Sequence, residues 1–172
     1  MKPEVFIDRV LICDIGKVIK AECAYLAFGL IAQGIETLGA ILDEQEIHDI
    51  CLAEVRFRNA VATLFNGQGS LYPKYASADS EYDLFKYLRC GMAHVLRPAG
   101  KIGFTTRKQS IENGTKHMEV SKETGQLILV IEDFYSDFEK ACIKCKNAIP
   151  KKSHAKLKND YIICSQVASG GP

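Results

Sequence analysis

The feature that most constrains this chain is the long apolar run from Ala21 to Leu42. Phe28, Ile31, Ile35, Leu38 and Leu42 recur at steps of three and four, the spacing that lays one stripe along a helix, with Gln33, Glu36 and Thr37 opposite. From Ala21 to Ala32 the sequence is apolar nearly all round, which predicts a central buried helix. Helical patterning reaches back to Val5, so the first block covers 5–42, as one helix or as two with a break near Gly16. Gly29, Gly34 and Gly39 each lower helix propensity by about 1 kcal/mol relative to alanine, a loss that makes sense where a neighbouring helix approaches closely. The most apolar window, Ala24 to Ala32, is short for a bilayer span and runs into Gln33 and Glu36.

The chain has 172 residues, 47% apolar and 25% charged, which is ordinary for one soluble globular domain. Seven cysteines, an odd number spread through apolar helical patterns, fit reduced and mostly buried thiols better than a disulfide framework. Lys2 and Glu4 precede only a short apolar run broken by Asp8 and Arg9, unlike a signal peptide. A cytoplasmic protein with no membrane partner is expected. The net charge of +1 selects no partner, but its distribution is uneven. Between Asp83 and Lys108 there are six bases and one acid, and between Glu139 and Asp160 seven lysines and two acids.

After the first block, Asp43-Glu44 opens a second helix over 46–65, with Ile50, Phe57, Val61 and Leu64 on its stripe. Glu54 shares the stripe and is expected at its rim, head in water. Asn66 to Ser70 ends this helix, and the loop carrying Tyr72, Pro73 and Tyr75 is expected against the bundle. Ser80-Glu81-Tyr82-Asp83 resembles a capping box for the next helix, which stops at Pro98-Ala99-Gly100. From there the period changes to two. Ile102 and Phe104 start one strand, Met118 and Val120 sit in a second, and Leu127, Leu129 and Ile131 in a third, with Lys122 to Gly125 as a hairpin turn. Phe134, Phe138, Ala141, Cys145 and Ile149 then mark a last helix that covers the strands and ends at Pro150. The expected fold is mainly α, of α+β type: one helical domain over 1–150 with a three-stranded antiparallel meander at 101–131, followed by a basic, flexible tail at 151–172.

The helix before Pro98 carries the chemistry. Leu84, Leu88, Met92 and Val95 form its apolar stripe, and Arg89 is followed by four residues and then His94. A guanidinium that grips phosphate thus shares a packed helix with an imidazole that moves protons. The run Leu84 to His94 resembles the segment in which the HEPN superfamily, the helical "higher eukaryotes and prokaryotes nucleotide-binding" domains, carries its arginine-x(4–6)-histidine signature. The resemblance covers about residues 18–100. It implies a helical bundle that pairs as a homodimer, sets two arginine–histidine pairs in one cleft and binds RNA or nucleotide. In catalytic members, some of them bacterial toxin or defence proteins, that cleft cuts RNA without metal or other cofactor. Carried to this chain, His94 is the general acid or base at the ribose 2′-hydroxyl and Arg89 holds the scissile phosphate, flanked by Lys86, Arg97 and Lys101 as substrate-binding bases. Cys90 stands where the family often has a polar residue, and the strands are additional to a plain bundle. Both favour the alternative, a non-catalytic helical dimerisation module.

Other features read as structural. Cys142-x-x-Cys145 lies mid-helix on the apolar stripe, with only His154 and Cys164 as further metal ligands nearby, so no metal site is expected. The lysines from 140 to 158 suit a solvated tail better than a track for a phosphate backbone. His48 and His117 have no partners at site-like spacing.

Overall fold

The computed structural model describes residues 2–149 other than 44 and 48, without the side chain of Ile50. α1 (residues 3–20) starts on Pro3–Phe6, widens into a π-helical stretch over Ile7–Asp14 and continues as Ile15–Lys20. α2 spans Ala24–Leu42. The first block is therefore two helices, but they part at 21–23 and not near Gly16. There the Cys23 N–H donates to the Val18 carbonyl and the Glu22 N–H to the Ile19 carbonyl, with Glu22 at φ 60°. This is a Schellman ending whose left-handed residue is a glutamate, where glycine is the usual occupant. Gly16 instead serves packing: a Cβ there would lie 2.7 Å from the Tyr135 hydroxyl. That hydroxyl donates to the Ile12 carbonyl at 2.8 Å, within the widened stretch of α1.

α2 is the central helix. By length (19 residues) and composition it is apolar enough to cross a membrane, with a mean hydropathy of 1.5 over an 18-residue window, longer than 24–32, of which 56% is buried here. After a 3-10 turn at Ile50–Leu52, α3 (Ala53–Leu64) folds back along α2. The backbones meet at Gly39, where a Cβ would collide with the main chain of Arg56. Arg56, only 3% exposed, holds the connection together. Its Nε donates to Asp43 at 2.6 Å, and its two terminal nitrogens donate to the carbonyls of Glu46, Ile47 and Asp49. Glu44 and His48 in this connection, and the whole 151–172 tail with His154 and Cys164, lie outside the described residues.

A single turn, α4 (Tyr72–Tyr75), precedes α5, which is π-helical over Phe85–Cys90 and α-helical over Gly91–Val95. Asp83 caps α5 directly, accepting the N–H groups of Phe85 and Lys86, while Ser80 accepts from Tyr82 in the preceding turn. The cap is thus Asp83 and not the expected box starting at Ser80. A Cβ at Gly29 would lie 3.2 Å from Met92, so α5 crosses α2 closely at that glycine.

The expected antiparallel meander does not form. β1 (Ile102–Thr105) and β2 (Leu127–Val130) make a two-stranded parallel sheet, Ile102 opposite Leu127 and Thr105 opposite Val130. The cause lies between them: Thr106 and Gln109 make a capping box, each side chain bonded to the other's backbone N–H, and start α6 (Arg107–Glu112). A helix after β1 carries the chain across, so the next full strand enters in the same direction. The turn before Gln126 does reverse the chain, with Gly125 at φ 67°, but Met118 to Ser121 contributes a single antiparallel bridge, Val120 to Leu127. Ile131, expected in a strand, is the first residue of α7 (Ile131–Ala148). Phe134, Phe138, Ala141 and Cys145 of α7 are buried, and Phe104 of β1 stacks on Phe28 of α2 at 3.9 Å.

Candidate functional site

Arg89 sits in the last turn of the π-helical part of α5, and His94 five residues beyond in the α-helical part. The guanidinium turns inward. Arg89 is 15% exposed at its side chain, and its Nε lies 2.5 Å from Glu36 Oε2 on α2 in an ion pair without hydrogen-bond geometry. Its carbon is 5.8 Å from the centre of the Phe85 ring. His94 is exposed in the last turn, two residues before Leu96 ends the helix at φ 50°. Five residues of α-helix rotate a side chain by about 140° beyond a full turn, and the wider π geometry stops at Cys90. Within this chain the structure therefore does not bring Arg89 and His94 together.

The loop that follows His94 is tied to α2. The Tyr25 hydroxyl donates to the Leu96 carbonyl at 2.8 Å, tying the start of α2 to the loop after α5. That loop folds back on its helix: the Arg97 N–H reaches the Gly91 carbonyl and the Ala99 N–H the Tyr87 carbonyl. A polar cleft of about 620 Å³ opens there, lined by Tyr25, Arg97, Phe104, Thr105, Thr115 and Gln126 among others. Arg97 is exposed and, among the described residues, has no acidic partner. The other two expected binding bases are placed elsewhere. Lys101 pairs with Glu81 at 2.6 Å, and Lys86 lies 5.1 Å from the Tyr87 ring centre. Around the crossing of α2 and α5, Leu26 is 50% exposed, Leu30 42%, Val95 70% and Leu96 64%. The front of α2 is thus not buried all round; Leu26 and Leu30, four residues apart, leave one of its faces exposed.

A second cluster was not legible in the sequence. Tyr72 of α4, His117 and Asp137 of α7 meet with Tyr72 Oη 2.8 Å from His117 Nε2 and 3.2 Å from Asp137 Oδ2. His117 Nδ1 accepts the Val130 N–H at 3.0 Å, at the junction of β2 and α7. An Nδ1 that accepts leaves the proton of the neutral ring on Nε2, which donates to Tyr72, whose hydroxyl donates to Asp137. Burial lowers the pKa of His117, against the pull of Asp137 and Asp133, and raises that of Tyr72 well above the usual phenol range. The three residues lie 45 and 20 positions apart, so no local spacing announces them.

The remaining candidates are structural in this fold. Cys142 and Cys145 are fully buried; burial pushes the Cys142 thiol far up and that of Cys145 to about 12, so both stay protonated. Three of the late lysines are engaged within the molecule: Lys140 with Asp137, Lys144 with the Leu64 carbonyl, and Lys146 with Asp8. Arg107 pairs with Asp133, and Glu54, as expected at a rim, with Arg58. Among the described residues no group of three His, Cys, Asp or Glu side chains is placed to hold a metal ion. No family model, no curated protein and no solved structure matches this chain.

Proposed function

We propose that this chain is a HEPN-like RNA- or nucleotide-binding protein that works as a homodimer, with His94 transferring protons in metal-independent RNA cleavage. The observation that carries the reading is the exposed imidazole of His94 on a helix end that also bears the exposed Val95 and Leu96 and runs into the loop whose Arg97 lines a polar cleft with Tyr25. Burying Leu26, Leu30, Val95 and Leu96 against their symmetry mates removes apolar surface from water and draws two His94 side chains toward one axis. In that arrangement one imidazole takes the proton of a ribose 2′-hydroxyl as the oxygen bonds to the adjacent phosphorus. The other gives a proton to the departing 5′-oxygen, so the two neutral and cationic roles complement each other. Arg97 meets the phosphate backbone, and the exposed ring of Tyr25 offers a stacking face for a base.

A second reading rests on Arg89. Its pairing with Glu36 of its own subunit occupies the charge that the cleavage reading assigns to the scissile phosphate. In that reading the same face is a dimerisation surface without turnover, and Arg89 fixes α5 on α2. Anisotropy titration of a labelled single-stranded RNA at low salt separates them. RNA binding predicts saturable association that weakens about three- to tenfold in Arg97→Ala and in Tyr25→Ala. Absence of binding, or binding by both variants as tight as the wild type's, contradicts it.

A further inference from the structure

We infer that the cavity in front of Tyr72, His117 and Asp137 binds a small organic anion with an apolar body, at a site separate from His94. The cavity measures about 390 Å³, within the usual range for small-molecule sites. Its walls are of two kinds. Phe65, Leu71 and Met118 are apolar, and Lys140, Lys144 and the 67–70 loop add polar groups.

The hydrogen-bond inventory selects the ligand class. Both nitrogens of His117 are used, Tyr72 accepts one bond and donates one, and the two oxygens of Asp137 already accept from Tyr72 and Lys140. Asp137 keeps a lone pair on each oxygen, but the unspent donors of the lining outnumber these acceptors. An ammonium has three N–H groups; Lys140 uses one on Asp137, and Lys144 uses two, on the Leu64 carbonyl and Asn66 Oδ1. The backbone N–H groups of Gly67, Gln68 and Gly69 donate to no protein acceptor among the described residues. With His117 neutral, two ammonium groups face one carboxylate, so the lining is cationic. A ligand rich in acceptors and negatively charged satisfies such a wall; a cation or a neutral donor does not. Bare phosphate would leave the apolar wall against water, so the fitting occupant is a carboxylate on an aromatic or branched aliphatic body. The relay from Val130 through His117 and Tyr72 to Asp137 keeps the floor of the cavity rigid, and Met118 is fixed beside it by its N–H bond to the Ile128 carbonyl.

The test is a titration of the isotope-labelled full chain followed by ¹H–¹⁵N spectra, with benzoate, benzyl alcohol and inorganic phosphate as separate probes. Benzoate is expected to give saturable shifts at the amides of Gly67, Gly69 and Met118. Lys140→Gln, a change at an exposed side chain, is expected to weaken benzoate about tenfold. Benzyl alcohol and phosphate are expected to bind more weakly than benzoate. No saturable shift at those amides, equal binding of either comparison probe, or an unchanged benzoate affinity in Lys140→Gln overturns the proposal.

Discussion

The two nitrogens of His117 are committed to different partners, and that commitment makes the residue sensitive to acid. Protonation would put a donor on Nδ1 facing the Val130 N–H, and burial already disfavours the cation. The folded pKa therefore lies below the unfolded value of about 6.5. The unfolded chain binds the proton first, so the stabilisation from neutral His117 is complete above that value and is lost as pH falls from it toward the folded pKa. Urea midpoints measured from pH 7.5 downward should fall more steeply for the wild type than for His117→Phe. At pH 7.5 that variant should itself be less stable by about 1–2 kcal/mol, because the Val130 N–H and Tyr72 lose a partner. Parallel pH curves for the two proteins would contradict the assignment. Arg56 makes a comparable test. Its planar fork meets one carboxylate and three carbonyls from within the core, so Arg56→Lys should cost about 3 kcal/mol in urea denaturation, and a cost near zero would show that the 43–49 connection does not depend on it.

At the scale of elements, the helices were largely legible and the strands were not. The steps of three and four that mark α2 and α7 reflect faces buried against several neighbours, and Gly29, Gly34 and Gly39 did signal close approach. Gly39→Ala should destabilise by about 1–3 kcal/mol, since the added methyl meets the main chain of Arg56 with no flexible side chain to yield; a neutral result in urea denaturation would refute that contact. The break before α2 was misplaced because glycine is the expected signal, whereas Glu22 takes the left-handed position and Gly16 serves Tyr135. The parallel sheet was missed for a related reason. Thr106-Arg107-Lys108-Gln109 carries a capping signature, but the alternation beginning at Ile102 masked it, and without α6 an antiparallel return looks simplest. Thr106→Ala should cost about 1 kcal/mol of stability through loss of that cap. The π-helical turns in α1 and α5 leave no comparable trace in residue spacing. In α1 the Ile12 carbonyl of that stretch accepts the Tyr135 hydroxyl from α7, a contact that no local spacing announces.

For the whole molecule, α2 links the two candidate sites. Its front carries Leu26, Leu30 and Tyr25, whose hydroxyl is bonded to the Leu96 carbonyl after α5, and its stacked Phe28 leads through Phe134 toward Tyr72 and His117. The arginine–histidine spacing was visible in the sequence, but the inward turn of Arg89 was not, because it depends on Glu36 arriving from another helix. If the apolar face around His94 joins two subunits, sedimentation velocity should return a dimer for the wild type and a monomer for Leu30→Glu with an unchanged circular dichroism spectrum. A wild-type monomer would remove the symmetric cleft. The most direct measurement is cleavage of a labelled single-stranded RNA in excess EDTA by the wild type and by folded His94→Ala. The account predicts cleavage by the wild type and none by the variant. An inactive wild-type dimer, or a variant that cuts as fast as the wild type, would contradict it.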